Sequence, residues 1–442
     1  MRGERRHAGL DRRIAALALP ALGALVAEPL FLATDTALIG HLGAAPLAGL
    51  GIASTILQTA IGLLIFLAYA TTPTVARRLG AGDQAGALRA GIDGLWLALA
   101  VGAALLVLGA AAGPLAVAAF GPEPAVAAAA ETYLGISVLG LPAMLLVIAA
   151  TGLFRGLQDT RTPLVIAVAG FGANAVLNAV LIYGAGWGIA GSAIGTVIAQ
   201  SGMAVACVVI AVRTARRLGA PLRPGLRGVS SSAVAGGWLL LRTVSLRVAL
   251  VATTVVATAA GTTTLAATQV LLTLYFAVAL ALDAFAIAGQ ALVGHGLGAA
   301  DVERVRAIVR RLLFWGLVTS AGLAAVLAAA SPVLGRVFTS DPAILAAIPA
   351  GLLVLAASLP IAAVVFVLDG VLIGAGDSRY LAWTGLLNLA AYLPLLWWAS
   401  HATDGVAAVA AIQAAFCIGY ITARGVTLGL RARGERWMVV GA

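Results

Sequence analysis

IAALALPALGALVAEPLFLATDTALIGHLG, residues 14–43, is the stretch on which the fold turns. From Ile14 to Gly40 the run is apolar apart from Glu28, Asp35 and the two threonines Thr34 and Thr36. About 20 apolar residues are enough to cross the hydrocarbon core of a bilayer as a helix. A carboxylate at mid-depth costs about 2.5–3.5 kcal/mol on insertion scales. The segment therefore reads as a membrane helix that carries its acids at a cost, and the rest of the chain has to supply the reason.

The whole chain shares this character. It is 62% hydrophobic and only 10% charged, where a soluble domain is about 25% charged. A chain so composed cannot cover itself with polar surface, so its expected partner is the lipid bilayer. The net charge of +10 comes from arginine alone, without a lysine. Those arginines are spread along the chain rather than gathered on one domain, which argues against nucleic acid. Cys207 and Cys417 lie inside apolar runs, so neither a disulfide framework nor metal-ligand spacing is present. Arginines before the first apolar run imitate a signal peptide. That run is too long for one and contains Glu28 and Asp35, so it is expected to be retained.

Twelve segments reach spanning length: 14–40, 47–76, 90–119, 125–152, 162–184, 188–212, 236–260, 264–293, 308–335, 343–374, 380–400 and 404–426. Helices 1 to 12 are numbered in that order. Only one connector is long, residues 213–235. It separates a first lobe, 1–212, from a second, 236–442. With the N-terminus inside, 26 of the 27 arginines fall in the tails, the even-numbered loops and the start of helix 7, and Arg336 alone falls outside. This asymmetry places both termini in the cytoplasm.

The halves repeat at one constant offset of 218 residues. LGAGD (79–83) matches LGAAD (297–301), FGPEP (120–124) matches FTSDP (338–342), and RGLQDTR (155–161) matches IGAGDSR (373–379). Pro114 matches Pro332 in the same register. Six spans per repeat is an even number, so the two repeats are parallel, related by an axis along the membrane normal. The expected fold is an all-α polytopic membrane protein of two parallel six-helix repeats. Such lobes with a cleft suit alternating access.

Four acids lie well inside the predicted spans: Glu28 and Asp35 in helix 1, Asp283 in helix 8 and Asp369 in helix 10. No arginine is placed at matching depth. Desolvation favours the neutral form of an unpaired carboxyl group, and a group that gains and loses a proton is what a proton-coupled carrier needs. Glu28 and Asp35 are seven residues apart, near one stripe of the helix. Thr34 and Thr36 flank Asp35, and Pro29 bends the helix between the acids. The second repeat has Thr253 opposite Asp35 and Leu246 opposite Glu28, so these acids are not shared scaffold. Their alternative reading is as buried posts that hold two helices. Asn174 and Asn178, four apart on helix 5, share one face. They either complete a polar pocket with Asp35 or act as helix–helix glue. Gln58, Gln200, Gln269 and Gln290 are further pocket candidates with the same alternative. Asp83, Asp159, Asp301 and Asp377 read as loop caps and ion pairs, and His41 and His295 as interface residues. No nucleotide-binding, hydrolase or metal motif is found. The expectation is a carrier rather than an enzyme, with no cofactor and no metal, driven by an ion gradient.

The residues 17–43, the LGAGD and RGLQDTRTP loops and LDGVLIGAGD together resemble the multidrug and toxic compound extrusion (MATE) family, in its DinF-like branch. The resemblance covers residues 14 to 426. It implies a V-shaped cleft between two six-helix lobes. It also implies an antiporter that expels organic, cationic or amphiphilic compounds in exchange for H+ or Na+, a monomer in a bacterial inner membrane. The family's acid in the first helix matches Asp35 as the protonation site, with Glu28 beside it. Polar residues of helix 5 match Asn174 and Asn178. Some relatives have Asp where this chain has Asn178, which favours H+ over Na+ as the coupling ion. Asp369 corresponds to a cation-binding acid on helix 10 of another branch. A Na+-coupled exporter and a lipid-linked sugar flippase are the alternatives. The flippase would need cavity arginines for pyrophosphate.

Overall fold

The computed structural model describes residues 2–401 and 405–441. Among the described residues, twelve helices are long and apolar enough to span a bilayer: Gly9–Gly40, Ala44–Gly80, Gln84–Ala118, Pro124–Gly156, Arg161–Gly184, Gly188–Arg217, Leu226–Ala259, Thr262–Gly298, Val302–Val337, Pro342–Gly374, Ser378–Ala399 and Gly405–Arg433. These are helices 1 to 12 as numbered from the sequence. The expected start of helix 12 at residue 404 lies outside the described residues. Most helices overrun their apolar cores by a turn or more, because arginine-rich ends continue the same hydrogen-bond ladder.

The connector differs from its expected extent of 213–235. Helix 6 runs on to Arg217 and helix 7 begins at Leu226. The non-helical part is only 218–225. Gly219 ends helix 6 at a positive φ of 68°, and Pro221 and Pro224 prevent the helix from resuming earlier. The serine run at 230–232, a weak helix former, is nonetheless helical.

The chain forms two compact units. One comprises residues 19–236 and the other residues 237–441 with those up to Ala18. The two cuts, at Ala18 and Gly236, fall at the same point of the 218-residue repeat. In the 19–236 unit, the connector docks on helix 3. Gly225 N donates to Asp93 Oδ1 at 2.7 Å, and Trp96 Nε1 donates to Leu222 O at 3.0 Å. In the other unit, Asp11 is held by Arg311 and by Trp315 Nε1 of helix 9. Asp93 and Arg311 are repeat equivalents of opposite charge.

The repeat is written into the backbone. Gly82 and Ala300 both take positive φ, 82° and 55°, before Asp83 and Asp301. Each acid then caps the next helix: Asp83 accepts from Gly86 N at 2.7 Å and Asp301 from Arg304 N at 3.0 Å. Gln158 and Gly376 share positive φ, as do Gly43 and Gly261. Asp159 caps Thr162, and Asp377 pairs with Arg431 at 2.7 Å. Helices 2 and 4 cross through a small-residue seam. A Cβ on Gly152 would lie 2.7 Å from Ala68 O, and one on Gly156 would lie 2.8 Å from Thr72 O. Helices 8 and 10 cross at the equivalent places. Gly370 has Ala286 O at 2.4 Å and Gly374 has Gln290 O at 2.7 Å. Glycine four residues apart on one face lets membrane helices approach to backbone contact.

Candidate functional site

Asp35 is 4% exposed and sits at the centre of a polar cluster inside the 19–236 unit. Ser192 Oγ donates to its Oδ1 at 2.5 Å and Asn178 Nδ2 donates to the same oxygen at 2.8 Å. Tyr133 Oη donates to Oδ2 at 3.1 Å. Asn178 Nδ2 also faces Asn174 Oδ1 at 3.1 Å and Ser192 Oγ at 3.2 Å. Asn174 Nδ2 donates to Thr196 Oγ1 at 3.0 Å. Helices 1, 4, 5 and 6 each contribute, and every partner of Asp35 is neutral.

Small residues make the cluster possible. A Cβ on Gly191 would lie 2.7 Å from the Leu181 carbonyl carbon, and one on Gly195 would lie 2.2 Å from Asn178 Oδ1. Helices 5 and 6 can therefore close on each other only with glycine at both positions. Each glycine is followed by a hydroxyl residue, Ser192 and Thr196, that meets a helix 5 asparagine.

The hydrogen-bond count shows what the site can do. An amide NH2 has two hydrogens, yet Asn178 Nδ2 has three acceptors within reach. Meanwhile Asn178 Oδ1 is buried without a hydrogen-bond partner. A carboxylate only accepts, whereas a carboxylic acid also donates. The three donors suit the ionised Asp35, and the spare amide oxygen supplies an acceptor for the protonated one after rotation of the amide.

The structure thus joins Asp35, Asn174 and Asn178, and it adds Tyr133, Ser192 and Thr196. The other candidates lie elsewhere. Thr34 and Thr36 are exposed and bond to their own helix, to Leu30 O and Leu32 O at 2.8 Å each. Glu28 and Gln58 are exposed as well. Glu28 shares a stripe with Asp35 by spacing but not its burial. In the other unit, Asp283 is half-buried and Gln290 is buried, with its Oε1 unpartnered. Of the residues missed, Ser192 and Thr196 were legible: they repeat the i, i+4 spacing of Asn174 and Asn178 on the next helix. Nothing in the sequence singled out Tyr133.

Asp369 corrects one expectation. It does have arginines at matching depth. Arg242 Nε donates to Asp369 Oδ1 at 3.1 Å and its Nη2 to Oδ2, while Arg424 Nη2 lies 3.4 Å from Oδ1. The early start of helix 7 is the reason. Arg242 lies about four turns inside it, not near its beginning as expected, and Arg247 lies deeper still. Arg424 precedes the end of helix 12 by more than two turns. The repeat equivalents of Asp35 and Asn174 are Thr253 and Tyr392; these meet directly, with Thr253 Oγ1 and Tyr392 Oη 2.6 Å apart, whereas Asn178 stands between Asp35 and Asn174. The first and fifth helices of both repeats therefore share a buried polar contact, and only one contact contains an acid.

The MatE family model matches residues 20–180 and 239–398, the same portion of each repeat. The chain belongs to the MATE family. Protein DETOXIFICATION 44, chloroplastic, of Arabidopsis thaliana is 32% identical over 85% of this chain and 74% of its own length. DNA damage-inducible protein F of Escherichia coli is also 32% identical, over 66% of this chain and 64% of its own. The fold is that of the Vibrio cholerae MATE transporter VcmN in the bent form, with a TM-score of 0.89 at 21% identity, over 98% of this chain and 99% of that one. This MATE protein is a multi-pass membrane transporter of the multidrug and toxic compound extrusion family, not an enzyme.

Proposed function

We propose that this MATE protein is an antiporter that exports organic, cationic or amphiphilic compounds in exchange for H+. It works by alternating access in a bacterial cytoplasmic membrane, with both termini cytoplasmic and Asp35 as the protonation site. The observation that carries the reading is the setting of Asp35: a buried carboxyl group with no cation among its partners, three neutral donors and a spare amide oxygen within the cluster. A permanent cationic partner would fix the carboxylate in its ionised form. Neutral partners leave its charge to be set by a proton, or by the positive charge of a cargo. Competition between the two for one carboxylate is the elementary requirement of exchange. H+ is preferred over Na+ because Asp35 is the one carboxyl group of the cluster, and the amides of Asn174 and Asn178 add no second negative charge for a metal cation.

In this scheme Asn174 and Asn178 adjust to both charge states. Glu28, Thr34, Thr36 and Gln58 line the route to the cluster rather than holding the proton. Asp283, Gln290 and Asp369 belong to the cargo path of the other unit, where Asp369 has its charge already matched. The test is transport of a fluorescent cationic dye into everted vesicles. A pH gradient drives uptake by the parent protein, and Asp35→Asn abolishes it while the protein remains folded and inserted. Uptake that follows a sodium gradient and ignores pH overturns the coupling assignment.

A further inference from the structure

The 19–236 unit carries a cavity that shares no residue with the Asp35 cluster and is unused by the mechanism above. It has a volume of about 370 Å³ and lies where helices 2 and 3 meet the start of helix 7. One water needs only ~15 Å³ of such space, so the cavity has room for a polyatomic group. Its charged lining is Arg78, Arg89, Arg227 and Asp93, a formal sum of +2. Ser231, Ser232 and Thr74 add hydroxyls.

The arginines are not neutralised from within. Arg78 reaches only Asp83, at 3.8 Å. Among the described residues, the side chains of Arg89 and Arg227, both exposed, make no hydrogen bond or ion pair. Asp93, the one acid present, is buried and committed to the connector. Its Oδ1 accepts from Gly225 N at 2.7 Å, and a Cβ on Gly228 would lie 2.0 Å from its Oδ2. Two guanidinium groups without protein partners line a cavity whose one acid gives an oxygen to the connector backbone. Guanidinium matches phosphate oxygens in a planar, bidentate way that an ammonium cannot.

We infer that this cavity is a binding site for a phosphate group, held by Arg89 and Arg227 with Arg78 at its edge. Basic pockets between membrane helices at the level of the headgroups take anionic lipid heads, and a soluble phosphate compound presents the same oxygens. The bound group would tie the start of helix 7 to helices 2 and 3, across the connector that separates the repeats. This inference does not depend on the antiport reading or on Asp35.

The test uses the full-length protein in phosphatidylcholine nanodiscs, with three arms. Inorganic phosphate is titrated while thermal unfolding is followed. Phosphatidylglycerol is then added to the nanodiscs in place of phosphate. Native mass spectrometry counts phosphatidylglycerol retained in detergent. The comparison proteins are the double variant Arg89→Gln/Arg227→Gln and a charge-matched control, Arg216→Gln/Arg217→Gln, whose arginines are equally exposed but do not line the cavity. At about 1 kcal/mol per arginine the cavity variant weakens binding roughly 30-fold, and the control leaves it within a few-fold. Arg89→Lys/Arg227→Lys, which keeps the charge and loses the fork, falls between them and covers the case in which the glutamine variant does not fold. Stabilisation by phosphatidylglycerol but not phosphate assigns a lipid headgroup, and the converse a soluble phosphate. Equal behaviour of the cavity variants and the control in every arm overturns the site.

Discussion

Gly195→Ala probes the Asp35 cluster without removing a single polar atom. The added methyl would lie 2.2 Å from Asn178 Oδ1 and 3.2 Å from Asn178 N. Contact at ordinary distance requires the amide to withdraw by about 1 Å. The 2.8 Å bond from Asn178 Nδ2 to Asp35 then passes beyond hydrogen-bonding range. A bond to a charged acceptor contributes about 1.5–3 kcal/mol, which is roughly a 10- to 100-fold loss if it is used in the transport cycle. Stability should fall as well, since the same bond holds the folded state, but only by a few kcal/mol. Overpacking costs about 1–3 kcal/mol, and Ala gains about 1 kcal/mol over Gly in a helix. The assay is pH-driven dye uptake in vesicles, with thermal unfolding of the same preparation alongside. Gly202→Ala on the same helix is the control, because nothing lies within 4 Å of its added methyl. The expected outcome is a large loss of uptake at Gly195 with a lowered Tm that still leaves the protein folded at the assay temperature, and neither loss at Gly202. Uptake by Gly195→Ala equal to that of the parent refutes the idea that close approach of helices 5 and 6 maintains the site.

Three further outcomes follow from the geometry. Gly152→Ala and Gly370→Ala, at equivalent crossings in the two repeats, should each lower stability by about 1–3 kcal/mol, read as matched losses in Tm; a loss in one alone would break the equivalence. Asp369→Asn removes the carboxylate charge facing Arg242 and Arg424, whose side chains are 15% and 11% exposed, and should cost about 3–5 kcal/mol. Arg424→Gln, which gives up only a 3.4 Å contact without a hydrogen bond, should cost less in the same denaturation measurement. Thr253→Asp places an acid at the repeat equivalent of Asp35, opposite Tyr392; it should not restore pH-driven uptake to an Asp35→Asn background, since the second unit lacks the serine and asparagine donors there.

Much of the fold was legible because membrane insertion is a severe physical constraint. Twelve apolar runs of spanning length could be little else, and the loop motifs fixed a register of 218 that the positive-φ residues Gly82 and Ala300 then repeat in the backbone. The ends of helices were less legible. Hydropathy detects the hydrocarbon core, whereas helix 7 starts at Leu226 in a polar stretch that hydropathy assigns to the connector. That one boundary hid the depth of Arg242 and so the pairing of Asp369. At the site, Asp35 and the two asparagines stood out because polar groups in lipid need a reason. Thr34 and Thr36 were drawn in by adjacency, but successive residues on a helix point in different directions, and both turn away to their own carbonyls. Tyr133 was hidden because an aromatic residue in an apolar helix is ordinary, and only the packing shows its hydroxyl on Asp35.

The central claim is that one buried carboxyl group trades a proton for cargo. The most direct measurement is proton release when a cationic dye binds to the purified protein in weakly buffered detergent solution. The account predicts release by the parent protein and none by Asp35→Asn, at dye concentrations that saturate both. Equal release by the two proteins, or dye binding by the parent without any release, would contradict it.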